Sequence, residues 1–182
     1  RGPGYLRRWV PGETGGARLR RIGTETGPYL LRVLLAAGAA LAYLHDVGTS
    51  HGAVAPDTIY VTPTGRLYLL GWPWAIPRDD MPPNVQPDPK WAPMPSELLG
   101  GPWQPTPATD QWQLGAVCFA ILTGELPPHT GVPPIRWVRP DCPASVAELI
   151  DRTLAPLPGD RFANLSAMMR HIERISGTST PL

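Results

Sequence analysis

The 182-residue sequence predicts a mainly α fold of the α+β class, a bundle of helices around one central buried helix with a small β-hairpin at its side. Three observations carry that expectation. The stretch from Thr106 to Gly124, "TPATDQWQLGAVCFAILTG", is apolar almost all round after Gln113, the pattern of a helix buried on every side. Three further stretches repeat apolar residues at helical spacing. Two short β-rich runs, Thr58 to Val61 and Arg66 to Leu70, are joined by Thr-Pro-Thr-Gly, which is hairpin chemistry.

In chain order, Gly4 to Glu13 reads as a short strand leading into a Pro-Gly turn, and the following "TGGARLRRIG" as a weak helix at best. From Pro28 the signal strengthens. Leu30, Val33, Leu34, Ala37, Leu41 and Leu44 predict a helix buried along most of its surface, with Pro28 in its first turn and Gly48 as its stop. A loop from His51 then leads into the hairpin. Positions 71 to 97 hold eight prolines in 27 residues, which excludes a helix or a central strand. The central helix has Thr106 as N-cap, Pro107 at its first position, Asp110 in its first turn and Gly124 as its stop. Residues 125 to 142 read as a proline-rich connection. Two amphipathic helices close the chain, from Pro143 to Leu154 and from about Asn164 to Ile175, with Arg161 in the bend between them and a frayed tail over 176–182.

Length and a hydrophobic fraction of 42% fit one domain over 1–182 with a core of about 5–175. Sixteen basic against fifteen acidic residues leave a net charge of +1, so no global field steers the chain to nucleic acid or to an acidic membrane. Six arginines crowd the first twenty-one positions, and a solvated basic face accounts for them better than a binding patch. Cys118 lies in an apolar run and Cys142 beside a proline. They form neither a disulfide framework nor a metal-ligand spacing, which fits a reducing, cytoplasmic setting. No membrane span is expected, since Arg32 interrupts the longest apolar run, and no signal peptide is apparent. A start at Arg1 rather than methionine suggests part of a longer protein.

The stretch "HGAVAPDTIYVTPTGRLYLLGW", from His51 to Trp72, resembles the catalytic and metal-binding loops of the protein kinase superfamily, and "TDQWQLGAVCFAILTG" resembles that family's central buried helix. "YLRRWVPGE" is similar to the hinge strand, "LLRVLLAAGAALAYLHDVG" to the helix before the catalytic loop, and "AELIDRTLAPLPGDRF" to the closing segment. The resemblance implies the C-terminal lobe of a bacterial or eukaryotic-like Ser/Thr protein kinase over about residues 5–175, with 71–97 as its activation-segment-like loop. The N-terminal lobe, with its glycine loop and strand lysine, has no counterpart in the sequence, and the single lysine, Lys90, does not align with that role.

Carried over position by position, the resemblance implies a site stripped of its chemistry. The family's His-Arg-Asp and Leu-Lys-Pro-Glu-Asn supply a base, a cation and a metal ligand. Here His51 keeps the histidine, while Gly52 stands for the arginine, Ala53 for the aspartate, Ala55 for the lysine and Thr58 for the asparagine. Where Asp-Phe-Gly supplies the main magnesium ligand, the chain reads Gly71-Trp72-Pro73, and a hydrogen cannot coordinate a hard cation. Tyr60 matches the small apolar position beneath adenine, where a phenol fills the nucleotide's space. Structural roles are implied for His51, for Asp110 as brace of the catalytic loop, and for an ion pair of Glu97 with Arg161. The plain alternatives are a loop histidine satisfied by backbone, a simple helix-start acid and two exposed charges. Asp79, Asp80 and Asp88 read as solvated acids rather than a cation site.

The function expected is therefore a catalytically inactive, pseudokinase-type platform, with no cofactor and no metal. Its partner would be a protein, or an upstream segment, covering the apolar face of Trp9, Tyr60 and Trp72. The alternative is a divergent Ser/Thr kinase fragment that still binds ATP and transfers a phosphoryl group with relocated acids. A third reading, an unrelated helical binding module, requires that the 58–70 hairpin be absent.

Overall fold

The computed structural model describes residues 10–25, 27–71, 93–99 and 103–177. Trp9, Trp72, Lys90, Asp79, Asp80 and Asp88 lie outside them, as does most of the 71–97 loop.

A three-stranded antiparallel sheet forms the top of the molecule in the order β1 (Glu13–Thr14), β2 (Ile59–Val61), β3 (Leu67–Leu69). Thr14 stands opposite Tyr60, and Tyr60 opposite Tyr68. The predicted hairpin is thus present, which removes the unrelated-module reading. Of the predicted first strand, positions 4–9 lie outside the described residues, Val10 to Gly12 are not strand, and Glu13 opens β1.

Helix α1 (Gly15–Ile22) is firmer than its sequence suggests. Two leading glycines lower its propensity, but Thr14 caps it by accepting from the Ala17 N–H at 3.1 Å. Arg18 adds a bidentate pair with Glu25 at 2.6 and 2.7 Å. The same glycines allow a close approach, since a Cβ on Gly15 would lie 2.8 Å from the Pro56 carbonyl.

Helix α2 (Pro28–Asp46) packs on α3, α6 and β3. Its burial is one-sided: Leu30, Val33, Leu34, Ala37, Leu41 and Leu44 are buried, whereas Arg32, Ala36, Ala39 and Tyr43 face outward. The expectation of burial over most of its surface is corrected accordingly. Its 19 residues, although broken by Arg32, are also long and apolar enough to cross a membrane by length and composition alone, a test that the core helix of a globular fold passes as well. In this fold its apolar face is core.

Helix α3 (Pro107–Thr123) is buried continuously from Thr109 to Leu122. A reciprocal cap between Thr106 and Thr109 starts it, and Gly124 in the left-handed conformation ends it. The connection after it holds a short helix the sequence reading missed, α4 (Ile135–Val138), whose first N–H donates to Asp151 Oδ1 at 2.8 Å. Helices α5 (Ala144–Thr153) and α6 (Leu165–Gly177) lie within about two residues of their predicted spans. Val33, Leu41, Leu114, Leu149, Ile150, Met168 and Ile172 form the dry centre between α2, α3, α5 and α6.

The α3–α5 contact is close because position 115 has no side chain. A Cβ there would stand 2.9 Å from Thr153 Oγ1 and 3.0 Å from its Cβ. Gly115→Leu is expected to lower the unfolding free energy by about 1–3 kcal/mol, the usual range for overpacking. Gly159→Ala, at a position with open space around it, should leave the urea midpoint unchanged. Equal midpoints for both variants would refute this packing account.

Candidate functional site

The loop from His51 to Thr58 lies under the sheet and against the first two turns of α3, and side chains of that helix fix its backbone. Asp110, fully buried, accepts from the His51 N–H (2.8 Å) and from the Gly52 N–H (2.7 Å), one through each carboxylate oxygen. His45, at the end of α2, adds a third contact through Nε2 at 2.8 Å. The positive end of α3 further favours the carboxylate. One turn on, Gln113 accepts from the Val54 N–H at 3.0 Å and donates to the Gly52 and Pro93 carbonyls at 2.9 and 3.0 Å. Gln113 thereby joins the 51–55 loop to the segment after residue 92.

Neither Gln113 nor His45 was identified as a site residue from sequence. Gln113 left a usable signal: a buried amide in an apolar helix, one turn from Asp110, must find polar partners. His45 left none, because its partner is 65 residues away.

His51 is buried, with Nε2 2.9 Å from the Leu70 carbonyl and Nδ1 3.2 Å from the Ala53 nitrogen. The Ala53 N–H donates to Nδ1, so Nε2 carries the proton and donates to Leu70, which makes the ring neutral. Burial pushes the imidazole below its ordinary value, while the Asp110 carboxylate and the Leu70 carbonyl pull it upward.

Of the remaining loop positions, Asp57 is exposed and accepts from the Thr14 hydroxyl at 2.6 Å, while the others face inward or are closed on themselves. Ala53, Val54 and Ala55 are buried. Thr58 Oγ1 accepts from the Ala55 N–H and donates to the Ala55 carbonyl, both at 2.9 Å, so its hydroxyl is consumed in closing the loop. Gly52 has φ 73°, and a Cβ on it would lie 2.8 Å from Pro105 Cγ. Gly71 has φ 96°, and a Cβ on it would lie 3.2 Å from both His51 Cε1 and Thr58 Cγ2. Both positions hold a left-handed backbone that favours glycine; a side chain would clash at Gly52 and fit tightly at Gly71. Among the described residues of this loop the side chains do not fit a magnesium–nucleotide complex: Ala53 and Gly71 offer no side-chain oxygen, and the hydroxyl of Thr58 is already bonded.

Tyr60 is half-buried and donates its hydroxyl to the Val10 carbonyl at 2.7 Å. This bond joins β2 to the chain entering β1. Of the apolar face expected around it, the other two members lie outside the described residues.

A second anchor lies below. Arg161, 2% exposed, pairs with Glu97 in fork geometry at 2.6 and 2.9 Å. It also donates to the carbonyls of Ala108 (2.9 Å), Ala155 (3.0 Å) and Pro156 (3.2 Å). The pair thus ties the segment before α3 to the bend between α5 and α6.

No family model matches the chain. It is 30% identical over 168 residues to the Ser/Thr-protein kinase PknA of Mycobacterium tuberculosis, covering 84% of this chain and 38% of that protein. It is 27% identical to PknA of Nostoc sp., covering 92% of this chain and 32% of the relative. It is 29% identical to PknK of M. tuberculosis, covering 88% and 16%. The chain therefore spans well under half the length of these relatives. Among solved structures, the PknI kinase domain of M. tuberculosis aligns with a TM-score of 0.71 at 22% identity, over 93% of this chain and 64% of that one.

Asp110→Ala would leave two buried backbone N–H groups without an acceptor. The expected loss is about 3–5 kcal/mol of unfolding free energy by urea titration, with a smaller loss for Asp110→Asn, which keeps one oxygen. A loss below about 0.5 kcal/mol for the alanine variant would contradict the bracing role.

The lowered His51 value sets a pH dependence. The unfolded chain takes up this proton near its ordinary value of 6.5 and the folded chain only below it, so the contribution is complete above that pH and declines as pH falls. Thermal unfolding between pH 8 and pH 5 should show that decline, and His51→Gln should flatten it. An equal slope in the variant would assign the effect to other groups.

Proposed function

We propose that this chain, a member of the protein kinase superfamily built as its mainly α C-lobe, is a catalytically inactive, pseudokinase-type domain that serves as a regulatory or protein-binding platform. Gly71 is the observation that carries the reading. In the family resemblance it stands where the metal-binding aspartate belongs, and it carries no side-chain oxygen. Its left-handed backbone, which favours glycine, and the 3.2 Å approaches to His51 and Thr58 make a carboxylate stem there strained and tight. Ala53, buried within the loop, likewise carries no group that could accept a hydroxyl proton.

Scaffold and chemistry are separable, which is why a family fold does not settle an activity. The bonds from Asp110, Gln113 and Arg161 hold the loop and the lower lobe without needing a nucleotide. The face that includes Tyr60, with Trp9 and Trp72, would be covered by a protein partner or by an upstream segment. Buried free thiols at Cys118 and Cys142 suit a reducing, cytoplasmic setting.

A thermal-shift titration with millimolar ATP, with and without magnesium, tests the proposal. A ligand at a hundred times its Kd stabilises a fold by about 2.7 kcal/mol, a shift of several degrees. No metal-dependent shift is expected. A metal-dependent rise of that size, or phosphoryl transfer to a protein substrate, would instead support a divergent kinase. The double variant Ala53→Asp with Gly71→Asp should unfold earlier and gain no ATP turnover, since position 71 favours glycine.

A further inference from the structure

Away from the degenerate loop, the end of α5 and the outer face of α6 flank an open hollow of about 740 Å³ in which three arginines stand beside Phe162, His171 and two alanines. Arg152, Arg170 and Arg174 line it, against one carboxylate, Glu173, while the whole chain carries a net charge of only +1. Of the other described arginines, Arg18, Arg20, Arg21, Arg139 and Arg161 each hold a carboxylate. Neither Arg152 nor Arg170 forms an ion pair among the described residues, and both are exposed. Arg170 and Arg174 are also one turn apart on the same helix, where like charges repel and a bound anion would relieve them.

The cavity is partly ordered for such a ligand. The Arg152 guanidinium lies over the Phe162 ring at 4.3 Å, which restricts its rotamers. Arg174 Nη2 stands 3.3 Å from His171 Nδ1, so a second guanidinium is held from behind by a ring nitrogen. Ala163 and Ala167 complete the lining with short side chains and leave the space open.

We propose that this cavity is a recognition site for a phosphorylated serine or threonine side chain on a partner protein, with Arg152, Arg170 and Arg174 as the donors. Planar guanidinium forks match the oxygens of a phosphate monoester, and its charge of nearly −2 suits a compact group of three cations. A concave, local site on a nearly neutral chain suits one dianion better than an extended polyanion or a lipid surface. The proposal rests on the platform reading only in taking a protein segment as the ligand. Its failure leaves the nucleotide titration untouched.

The test is fluorescence anisotropy of the intact chain with a labelled Ala-Ala-phosphoThr-Ala-Ala peptide and its unphosphorylated twin. The phosphorylated peptide should bind about tenfold or more tightly, and the gap should narrow as salt rises. Arg152→Gln with Arg170→Gln, both at exposed positions, should abolish the preference while lowering the thermal midpoint by only a few degrees, the loss of the Arg152–Phe162 stacking; Arg170→Gln alone should weaken the preference with the midpoint unchanged. The proposal is overturned by equal binding of the two peptides, or by a preference that survives the double variant. It is overturned too if inorganic phosphate competes as strongly as the peptide, which would mean an adventitious ion only. Selective binding to phosphatidylserine vesicles or single-stranded RNA without any peptide preference would assign the patch to those surfaces instead.

Discussion

The carboxylate of Asp110 is the constraint on which the rest of the structure depends. It is fully buried, and its two oxygens take backbone N–H groups from consecutive residues, His51 and Gly52, together with the His45 ring. A buried charge is tolerated only when its partners are in place. The carboxylate therefore specifies where the loop, the end of α2 and the start of α3 must meet. Gly52 has to turn left-handed under Pro105 to bring both N–H groups to one acid.

Other polar groups on α3 extend the same logic. Gln113 holds Val54, Gly52 and Pro93, Gln111 donates to the Phe162 carbonyl at 3.0 Å, and the Ala108 carbonyl accepts from Arg161. A helix buried on all sides thus carries a ladder of polar side chains, each aimed at irregular backbone. Backbone outside helices and sheets must still find partners when it is buried, and α3 supplies them. Arg161 does the same from the α5–α6 bend, with the carboxylate of Glu97 balancing its charge. The network is well but not completely paired, since Gln111 Oε1 and His45 Nδ1 are buried without a hydrogen-bond partner.

The groups that fix the loop come from α2 and α3, behind it, so the loop keeps its shape independently of the side chains it carries at Ala53, Ala55, Thr58 and Gly71. Thr58 has been turned inward to close the loop on Ala55, and Gly71 lets the chain pass tightly by His51 and Thr58. A carboxylate added at position 71 would meet a backbone that favours glycine and a tight fit against His51 and Thr58.

Local pattern alone determined the helices, the hairpin and the central position of α3, because apolar periodicity, N-caps and turn residues act over a few positions. It also placed Asp110 in a first turn and Arg161 in a bend. It undervalued α1, whose glycines lower propensity but are offset by Thr14 and by the Arg18–Glu25 pair, and it passed over α4, too short to show a period. Only the tertiary structure decided what the polar residues hold. The contacts of His45, Gln113 and Tyr60 link positions 50 to 65 residues apart, and no local spacing encodes such a pairing. The crowding around Gly52 and Gly71 is likewise a property of packed neighbours, since a glycine in a sequence announces permission to turn and not the contact that requires it.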